Sequence, residues 1–510
     1  SRLFLPALTM SACLLAGLVL TSAFEAVAAL PDVEQVHLSV RSPHQLTVSW
    51  ASPSGQVAEL VVEEAADHLS SRTIRPNSSS YRVQCGPRYK APCRMSSVYT
   101  SPLLLHADID VEPSKEYRYR IGGGPSGPWR RLRAPPAPGA RELRLAVVGD
   151  LGQTANSAAT CRDLARAHGA ERLDAALLLG DLAYADTNAS RWDSFGRLFD
   201  EAGCSEVPWL TIPGNHEIEP DELSGEAFVA YRARWRPPAG AGEAVGGAAE
   251  VVNWGSYDLR LQYDFGNSFY ALRLGCMHLI TLNPYADAGE ASAQLRWLRE
   301  ELARVDRGAT PHVLVATHAP WRHSSRVHQA ENEVVTSRLR SSAEPLLREA
   351  QVDMVFSGHV HAYERSEPID GVRHFVVGHG GNWEELYNQW SDWSQSGYRA
   401  GDHYGWGILH LRPSSASWQA RRSSDGSTVD TAQWEPRLAA SGGPPPPASH
   451  GGGAGSSAPV AVTVVLLVSI VWAGLCWQWA KRRLAQATEV EERAGFKANP
   501  AVVGAVERVS

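Results

Sequence analysis

The alternation of apolar and polar residues predicts an all-β region at the start of the folded part of the chain. Between residues 31 and 134, short alternating runs are separated by Pro, Gly and Ser turns. The runs are EQVHLSV, QLTVSW, ELVVEE, YRVQC, SSVYTS, LLLHADID and EYRYRIG. So many short strands in so few residues are typical of a two-sheet β-sandwich, which we place at residues 30–134. Trp50 and Tyr117 are expected to lie in its core.

A second pattern begins after a Pro/Gly-rich linker, RAPPAPGARE, at residues 133–142. Apolar runs now alternate with helical stretches: LRLAVVGD precedes NSAATCRDLARAHG, AALLLGD precedes RWDSFGRLFDEAG, and HVLVATH precedes SAEPLLREA. This alternation predicts an α/β layered domain at residues 142–436, closed by the strands RHFVVG and GILHLRP. In such sheets, ligands bind at the carboxyl ends of the strands. The Gly/Ala-rich stretch 240–249 is expected to be a surface insertion.

Both ends of the chain carry targeting patterns. Residues 1–29 predict a signal peptide, with an apolar core followed by the small-residue run EAVAA; an uncleaved anchor is the alternative. Residues 437–458, rich in Pro, Gly and Ser, predict a flexible stalk. Residues 459–480 are almost wholly apolar, and KRR follows them, so they predict a transmembrane helix with a cytoplasmic tail at 481–510. We therefore expect a type I single-pass membrane protein of the secretory pathway, at the cell surface or in an acidic lumen.

The composition and net charge of the chain narrow the classes of binding partner. With 44% hydrophobic and 20% charged residues, the chain of 510 residues is of ordinary globular composition. A net charge of -7 with no long basic run argues against nucleic acid as a partner. Asn77 and Asn188 lie in N-x-S sequons and are expected to be glycosylated if they are exposed.

The seven cysteines agree with a secreted domain. Two of them lie in the terminal segments, and the other five are Cys85, Cys93, Cys161, Cys204 and Cys276. Because five is odd, at most two disulfides form within the domain. Cys85 and Cys93 are close enough in sequence to close a small loop, but nothing in the sequence fixes the pairing. No C-x-x-C motif occurs, so a zinc–thiolate site is not expected.

The candidate chemistry lies in the segment SGHVHAYER, which follows the apolar run DMVF. His359 and His361 are spaced by one residue, so on an extended segment their rings point to the same side. A lone H-x-H is weak evidence for a metal site, but four strands upstream end in the same way. The ligand-type residues after those strands are Asp150, Asp181, Tyr184, Asn215, His216 and His318.

These side chains predict a metal centre. Close carboxylates repel one another and buried imidazoles are poorly solvated, and bound cations resolve both problems. Imidazole nitrogens argue against Mg or Ca and favour Fe, Zn or Mn, while a tyrosinate suits a ferric ion. Six or seven donors are too many for one metal with room for a substrate, so we expect two ions bridged by one Asp. Two such ions, about 3.5–4 Å apart, form a clamp for displacement at phosphorus.

The motifs GDLG, GDLAY, GNHE, VATH and GHVH, in this order, resemble the five motif blocks of the purple acid phosphatases in the metallophosphoesterase superfamily. The resemblance extends from residue 31 to about residue 436, because larger members carry a fibronectin type III-like β-domain before the catalytic domain. It implies an α/β layered metallophosphoesterase sandwich preceded by an all-β fibronectin type III-like sandwich. It also implies a set of ligands: Asp150, Tyr184 and His361 for Fe(III), Asn215, His318 and His359 for a second metal (Fe, Zn or Mn), and Asp181 as the bridge.

The same resemblance implies roles for other histidines. His216 is expected to contact the substrate phosphate, and His328 to protonate the leaving group, with His323 as its competitor. One departure is His379 in VVGHGGN, where the family more often has Asp. The stretch 383–403, rich in Trp and Asp, has no pattern that can be assigned and is a candidate for shaping substrate access.

The sequence therefore predicts an acid phosphatase in which metal-bound hydroxide attacks a phosphomonoester. Two alternatives stay open. The first is a phosphodiesterase or pyrophosphatase on the same metal centre. The second is a surface receptor with an inert enzyme-like domain, although a binding module would not need the whole ligand set. A homodimer is left open.

Overall fold

The computed structural model describes residues 32–85, 98–122, 127–238, 249–254, 257–262, 268–329 and 333–437. The predicted signal peptide, transmembrane helix and cytoplasmic tail lie outside these residues, as does the predicted stalk beyond Arg437. Within the described ranges, no helix is both long enough and apolar enough to cross a membrane.

The largest sheet has ten strands and joins the two predicted domains. Its strands, in spatial order, are β25 (Thr428–Trp434), β24 (Ser415–Arg422), β23 (Gly405–Arg412), β11 (Leu143–Val148), β12 (Ala175–Leu178), β13 (Pro208–Thr211), β1 (Glu34–Ser42), β2 (Gln45–Ser52), β8 (Leu103–Asp110) and β5 (Asn77–Ser79). The junction is the parallel pair β1–β13, in which Leu38 lies opposite Pro208 and Ser39 opposite Trp209. One sheet of the N-terminal β-sandwich thus continues directly into the catalytic sheet.

The second large sheet has seven strands and lies wholly in the C-terminal part. In spatial order these are β16 (Tyr270–Leu274), β17 (Met277–Leu282), β18 (His312–Thr317), β19 (Met354–Ser357), β21 (Arg373–Val377), β20 (Tyr363–Ser366) and β22 (Ser396–Ala400). The other sheet of the N-terminal sandwich contains β10 (Arg130–Arg133), β9 (Glu116–Ile121), β3 (Leu60–Glu64) and β4 (Asp67–Ile74). Two short ladders pair β6 (Arg82–Val83) with β7 (Tyr99–Thr100), and β14 (Ala249–Trp254) with β15 (Tyr257–Gln262).

The helices flank the two large sheets. Among the described residues they are α1 (Ala155–Glu171), α2 (Arg191–Glu201), α3 (Val229–Arg234), α4 (Ala293–Ala303) and α5 (Val334–Glu349), with 3₁₀ turns at Cys204–Glu206 and Asn215–Glu217. Helix α1 begins at the N-cap Thr154, whose hydroxyl accepts from the backbone N–H groups of Asn156 and Ser157.

Alternating side chains of the parallel strands separate the core into layers. Leu145 and Val147 of β11 share one cluster with Leu314 of β18, so the two sheets pack face to face. The opposite face of β11 packs with residues of α1 and α2, and the opposite face of β18 with residues of α4 and α5. This four-layer αββα sandwich confirms the predicted α/β layered domain.

The elements also differ from the expected ones in places. All seven expected N-terminal strands form, although YRVQC and SSVYTS contribute only the two-residue strands β6 and β7. Nine of the described strands were not expected: β4, β5, β10, β14, β15, β20, β22, β24 and β25. Helix α5 begins at Val334, earlier than the run SAEPLLREA indicates. Its buried apolar residues Val335, Leu339, Ala343 and Leu347 recur at every fourth position, which gives a helical stripe despite the β-branched start. Trp50 and Tyr117 are core residues, as predicted.

Candidate metal centre

The predicted ligands follow five strand ends that meet at one edge of the two sheets. In the ten-stranded sheet, the last residues of β11 and β12 pair in register, Val148 with Leu178, and Leu178 also pairs with Thr211 of β13. In the seven-stranded sheet, Ala316 near the end of β18 pairs with Phe356 of β19. Because these neighbouring strands are parallel, the loops after them project to the same side and bring their polar side chains together.

One group of donor atoms surrounds the phenol of Tyr184. Its hydroxyl donates to Oδ1 of Asp150 at 3.2 Å and lies 3.0 Å from Nε2 of His361. Nδ1 of His361 faces the carbonyl oxygen of Glu385 at 3.0 Å. Since that carbonyl can only accept, Nδ1 carries the proton and Nε2 keeps the lone pair that a metal needs.

A second group surrounds Nε2 of His318. This nitrogen lies 3.1 Å from Oδ2 of Asp181 and 3.2 Å from Oδ1 of Asn215. Nδ1 of His318 donates to the carbonyl oxygen of Leu179 at 2.7 Å, which orients the ring. Asp181, His318 and His359 each offer one ligand atom, and these atoms lie within 4.8 Å of one another.

Several of these residues have a strained backbone. Asp150, Asp181, Tyr184 and His359 have φ angles of 56°, 51°, 48° and 66°, in the left-handed region that non-glycine residues seldom adopt. Such conformations cost about 1–3 kcal/mol each and persist only where the surrounding structure imposes them. Here they occur in the loops after β11, β12 and β19, and clustering of this kind is typical of functional sites.

Two glycines leave space for the carboxylates. A Cβ on Gly214 would collide with Oδ1 of Asp181, and a Cβ on Gly358 would collide with Oδ2 of Asp150. Behind them, the carboxylate of Glu217 accepts from the backbone N–H groups of Asp181 and Gly214, each at 2.8 Å. The loops that carry the ligands are therefore packed and hydrogen-bonded against one another.

The pKa shifts of the clustered side chains indicate a site that bound cations would stabilise. Burial, followed by the charge of Asp181, raises the pKa of Asp150 well above its usual value. Burial and the charge of Asp150 likewise raise the pKa of Tyr184. Burial lowers the pKa of His361 to about 3 and that of His359 to about 4, so both rings are neutral. Neutral imidazoles and crowded carboxylates are the donor forms that bind transition metals, so these residues fit a metal centre.

His216 lies beside the two groups and does not join either of them. Its ring lies over that of Tyr184 at a centroid distance of 4.1 Å, and its Nε2 is 3.9 Å from Oδ2 of Asp181. Nδ1 of His216 forms a short hydrogen bond with Oδ1 of Asp186. Burial opposes protonation of His216, but the charges of Asp181 and Asp186 outweigh it and raise the pKa of the ring. A cationic ring at this position is suited to a phosphate oxygen.

The sequence did not point to Asp186 as a site residue, although it lies only two residues after Tyr184 in GDLAYAD.

The sequence did not point to Glu333 either, and only the fold brings this residue to the site. Its Oε1 lies 2.6 Å from Nδ1 of His328 and 3.2 Å from Nε2 of His359. The rings of His328 and His359 are 4.2 Å apart between centroids. His323 lies farther out, where its Nε2 donates to the carbonyl oxygen of His328 at 3.0 Å.

The stretch that begins at residue 383 forms one wall of the site. The ring of Tyr387 stacks on that of His361 at 4.5 Å with an interplanar angle of 14°. A carboxylate oxygen of Glu384 lies 3.8 Å from Nε2 of His216. Just before this stretch, Asn382 donates through its side chain to the carbonyl oxygen of Asp150 at 3.1 Å. His379 is buried behind the wall, and neither of its ring nitrogens has a hydrogen-bond partner in the described ranges.

The remaining predicted features lie outside the cluster. Asn77 is exposed on β5, and Asn188 is partly buried in the turn before α2. Their glycosylation stays a prediction.

Among the described cysteines, Cys161 and Cys204 form a disulfide, Cys85 is also disulfide-bonded, and Cys276 is buried and free.

Known proteins share this architecture and sequence. Residues 143–363 match the family model described as calcineurin-like phosphoesterase, and residues 371–431 match that of the iron/zinc purple acid phosphatase-like protein C. The fold is similar to that of the purple acid phosphatase PPD1 from yellow lupin (Lupinus luteus) seeds. The TM-score is 0.64 and the identity 21%, covering 79% of this chain and 74% of that one.

Curated relatives are more similar in sequence. Purple acid phosphatase 22 of Arabidopsis thaliana is 32% identical over 364 residues, which cover 70% of this chain and 73% of the relative. Phosphoenolpyruvate phosphatase of Allium cepa is 34% identical over 361 residues, which cover 65% of this chain and 69% of the relative. The resemblance predicted from the five motif blocks is thereby confirmed, and the chain belongs to the purple acid phosphatase family.

Proposed function

We propose that this protein is an acid phosphatase that hydrolyses phosphomonoesters on a binuclear metal centre. One observation carries the proposal: seven donor side chains from five strand ends meet in a buried cluster. They are Asp150, Asp181, Tyr184, Asn215, His318, His359 and His361. Membership of the purple acid phosphatase family supports the same chemistry.

We assign the ligands from the two groups of contacts. Asp150, Tyr184 and His361 would hold one ion, since the Tyr184 hydroxyl lies within 3.2 Å of a donor atom of each of the other two. The phenolate makes Fe(III) the proposed occupant. Asn215, His318 and His359 would hold a divalent Fe, Zn or Mn ion. Asp181 would bridge the two ions.

When bound, two such ions lower the pKa of a water that serves as nucleophile, and they neutralise charge on the phosphoryl oxygens. The chain's own residues complete the reaction. His216, held by Asp186, contacts the phosphate and orients it for in-line attack. His328, held by Glu333, protonates the departing alkoxide. The proximity of His328 to His359 favours it over His323 for this role.

We also propose that the catalytic part lies in the secretory pathway, anchored by a C-terminal membrane helix at residues 459–480. The Cys161–Cys204 disulfide supports an oxidising compartment. Protease protection of microsomes tests the proposed orientation. Only the tail at residues 481–510 should be digested from the cytoplasmic side, and cleavage within residues 32–437 in intact microsomes would contradict it.

The activity is tested with p-nitrophenyl phosphate and bis-p-nitrophenyl phosphate, together with metal analysis of the same sample. We expect about two metal ions per chain and a preference for the monoester at acidic pH. A preference for the diester would identify a phosphodiesterase on the same centre. No bound metal after reconstitution and no hydrolysis of either ester would favour the receptor alternative.

A further inference from the structure

A polar pocket lies beside the loop that carries His328. It has a volume of about 190 Å³ and is lined by Trp321, Arg322, His323, Gln329, Asp392 and Trp393, with Ser391 at its edge. No part of the proposed reaction uses these residues. We call this site the polar pocket.

The polar pocket is attached to the catalytic loop by hydrogen bonds. Nε2 of His323 donates to the carbonyl oxygen of His328 at 3.0 Å. The backbone N–H and the hydroxyl of Ser391 both donate to the carbonyl oxygen of Ser324, at 2.7 and 3.0 Å. The wall formed by residues 391–393 is therefore fixed to the segment between His318 and His328. A ligand in the pocket therefore lies beside the loop that carries His328, the residue that we propose as proton donor.

The charges of the pocket exclude a second phosphate as its ligand. Nε and Nη2 of Arg322 are bound to both carboxylate oxygens of Glu344, at 2.9 and 2.8 Å, so this cation is already balanced. The exposed carboxylate of Asp392 adds a negative charge to the rim. A site for an anionic group would need net positive charge, which this lining does not provide.

The polarity of the lining also excludes an acyl chain, because an apolar group would leave the amide, imidazole and carboxylate groups without water. A neutral ligand with many hydroxyl groups satisfies such groups by hydrogen bonding, and its C–H faces pack against indole rings. The pocket offers both kinds of contact. Trp321 borders this pocket and a small cavity behind it. Its indole N–H is buried and has no hydrogen-bond partner among the described residues.

We infer that the polar pocket binds the hydroxyl-rich alcohol part of a sugar or polyol phosphomonoester and so sets the leaving-group specificity of the enzyme. This inference rests on the proposed phosphatase activity and adds the class of substrate. Trp393 packs against the sugar ring, and Gln329 and Asp392 bind its hydroxyls.

The test compares kcat/KM for glucose 6-phosphate with that for p-nitrophenyl phosphate in the wild type and in Trp393→Ala, Gln329→Ala and Asp392→Ala. We expect the ratio of the two values to fall about tenfold in Trp393→Ala and several-fold in the other two, as a lost packing or hydrogen-bond contact predicts. Glu349→Ala, an exposed change on α5, is the control and should keep the ratio within about twofold.

An unchanged ratio in all three variants overturns the inference while leaving the phosphatase function in place. Equal losses for both esters also overturn it, because they indicate damage to the catalytic loop instead of a lost sugar contact. If the wild type hydrolyses neither ester, the proposed function itself fails. Because Asp392 is exposed and its change is compatible with folding, at least this variant gives an interpretable result.

Discussion

The carboxylate of Asp186 accepts a hydrogen bond from Nδ1 of His216, and both side chains are largely buried. The bond fixes the ring so that Nε2 faces the ligand cluster. It also favours a cationic ring, because the imidazolium and the carboxylate stabilise each other in a poorly solvated site. Asp186 is therefore a positioning residue for the histidine that we propose contacts phosphate.

Asp186→Asn should lower kcat/KM for p-nitrophenyl phosphate by roughly 10- to 100-fold, as the loss of a hydrogen bond to a charged group predicts. The measurement is steady-state kinetics, with KM and kcat reported separately. Asp402→Asn is a matched control, since Asp402 pairs with Nδ1 of His403 at 2.7 Å outside the site. Equal effects of the two substitutions would argue against a specific role for Asp186.

Tyr184→Phe should abolish the visible absorption band of the purified protein without unfolding it, because the change removes only the proposed phenolate ligand. The readouts are an absorption spectrum and circular dichroism on the same sample. Tyr387→Phe is the control, since Tyr387 contacts His361 through its ring face and the substitution retains that ring. An unchanged spectrum in Tyr184→Phe would remove Tyr184 from the ligand set.

His328→Ala should slow esters of poor leaving groups more than esters of good ones, because only poor leaving groups need protonation. A series of aryl phosphates measures this as a steeper dependence of kcat on leaving-group pKa. Glu333→Gln should also make the dependence of kcat on leaving-group pKa steeper, but by a smaller amount than His328→Ala does. His323→Ala should leave the slope as in the wild type; if it alone steepened the slope, the proton donor would be His323.

Gly214→Ala should lower the metal content of the purified protein below about two ions per chain, because the added methyl group collides with the Asp181 carboxylate. Gly169→Ala in α1 has no heavy atom within 4 Å of its added Cβ and serves as the control. It should retain the metals and stabilise the fold by about 0.5–1 kcal/mol through helix propensity. Metal analysis and denaturant unfolding distinguish the two variants.

Replacing both Cys161 and Cys204 by Ala should reduce the free energy of unfolding by about 4 kcal/mol, the value for a closed loop of this length. The disulfide spans 43 residues and joins α1 to the 3₁₀ turn before β13. Guanidinium unfolding of the oxidised protein measures the effect. Cys276→Ala, which breaks no disulfide, should cost only about 1 kcal/mol; a similar loss in both variants would mean that packing, and not the crosslink, is responsible.

The sequence predicted best those features that depend on local pattern. The strands β11, β12, β18 and β19 are mostly apolar and buried, and a metal-ligand residue type follows each of them. The carboxyl ends of neighbouring parallel strands lie at the same edge of a sheet. Residues that directly follow such strands in the sequence are therefore expected to lie close together in space. This is why Asp150 and His361 could be expected together although more than two hundred residues separate them.

The features that the sequence could not predict depend on long-range packing. Glu333 reaches His328 and His359 only because α5 begins earlier than its β-branched and polar residues indicate. The stacking of Tyr387 on His361 depends on a segment without secondary-structure pattern. Strands β10 and β25 have few apolar residues and lie at sheet edges, where polar and charged side chains are common, so their sequences lack the usual strand pattern.

The shared sheet between the N-terminal region and the catalytic domain has a consequence for folding. Because β1 supplies the neighbour of β13, a chain that starts after the linker would carry an unpaired strand edge, with exposed backbone N–H and carbonyl groups, beside its metal-binding loops. Such an edge invites pairing between molecules. The two regions should accordingly melt in a single cooperative transition, and the catalytic domain expressed alone should aggregate.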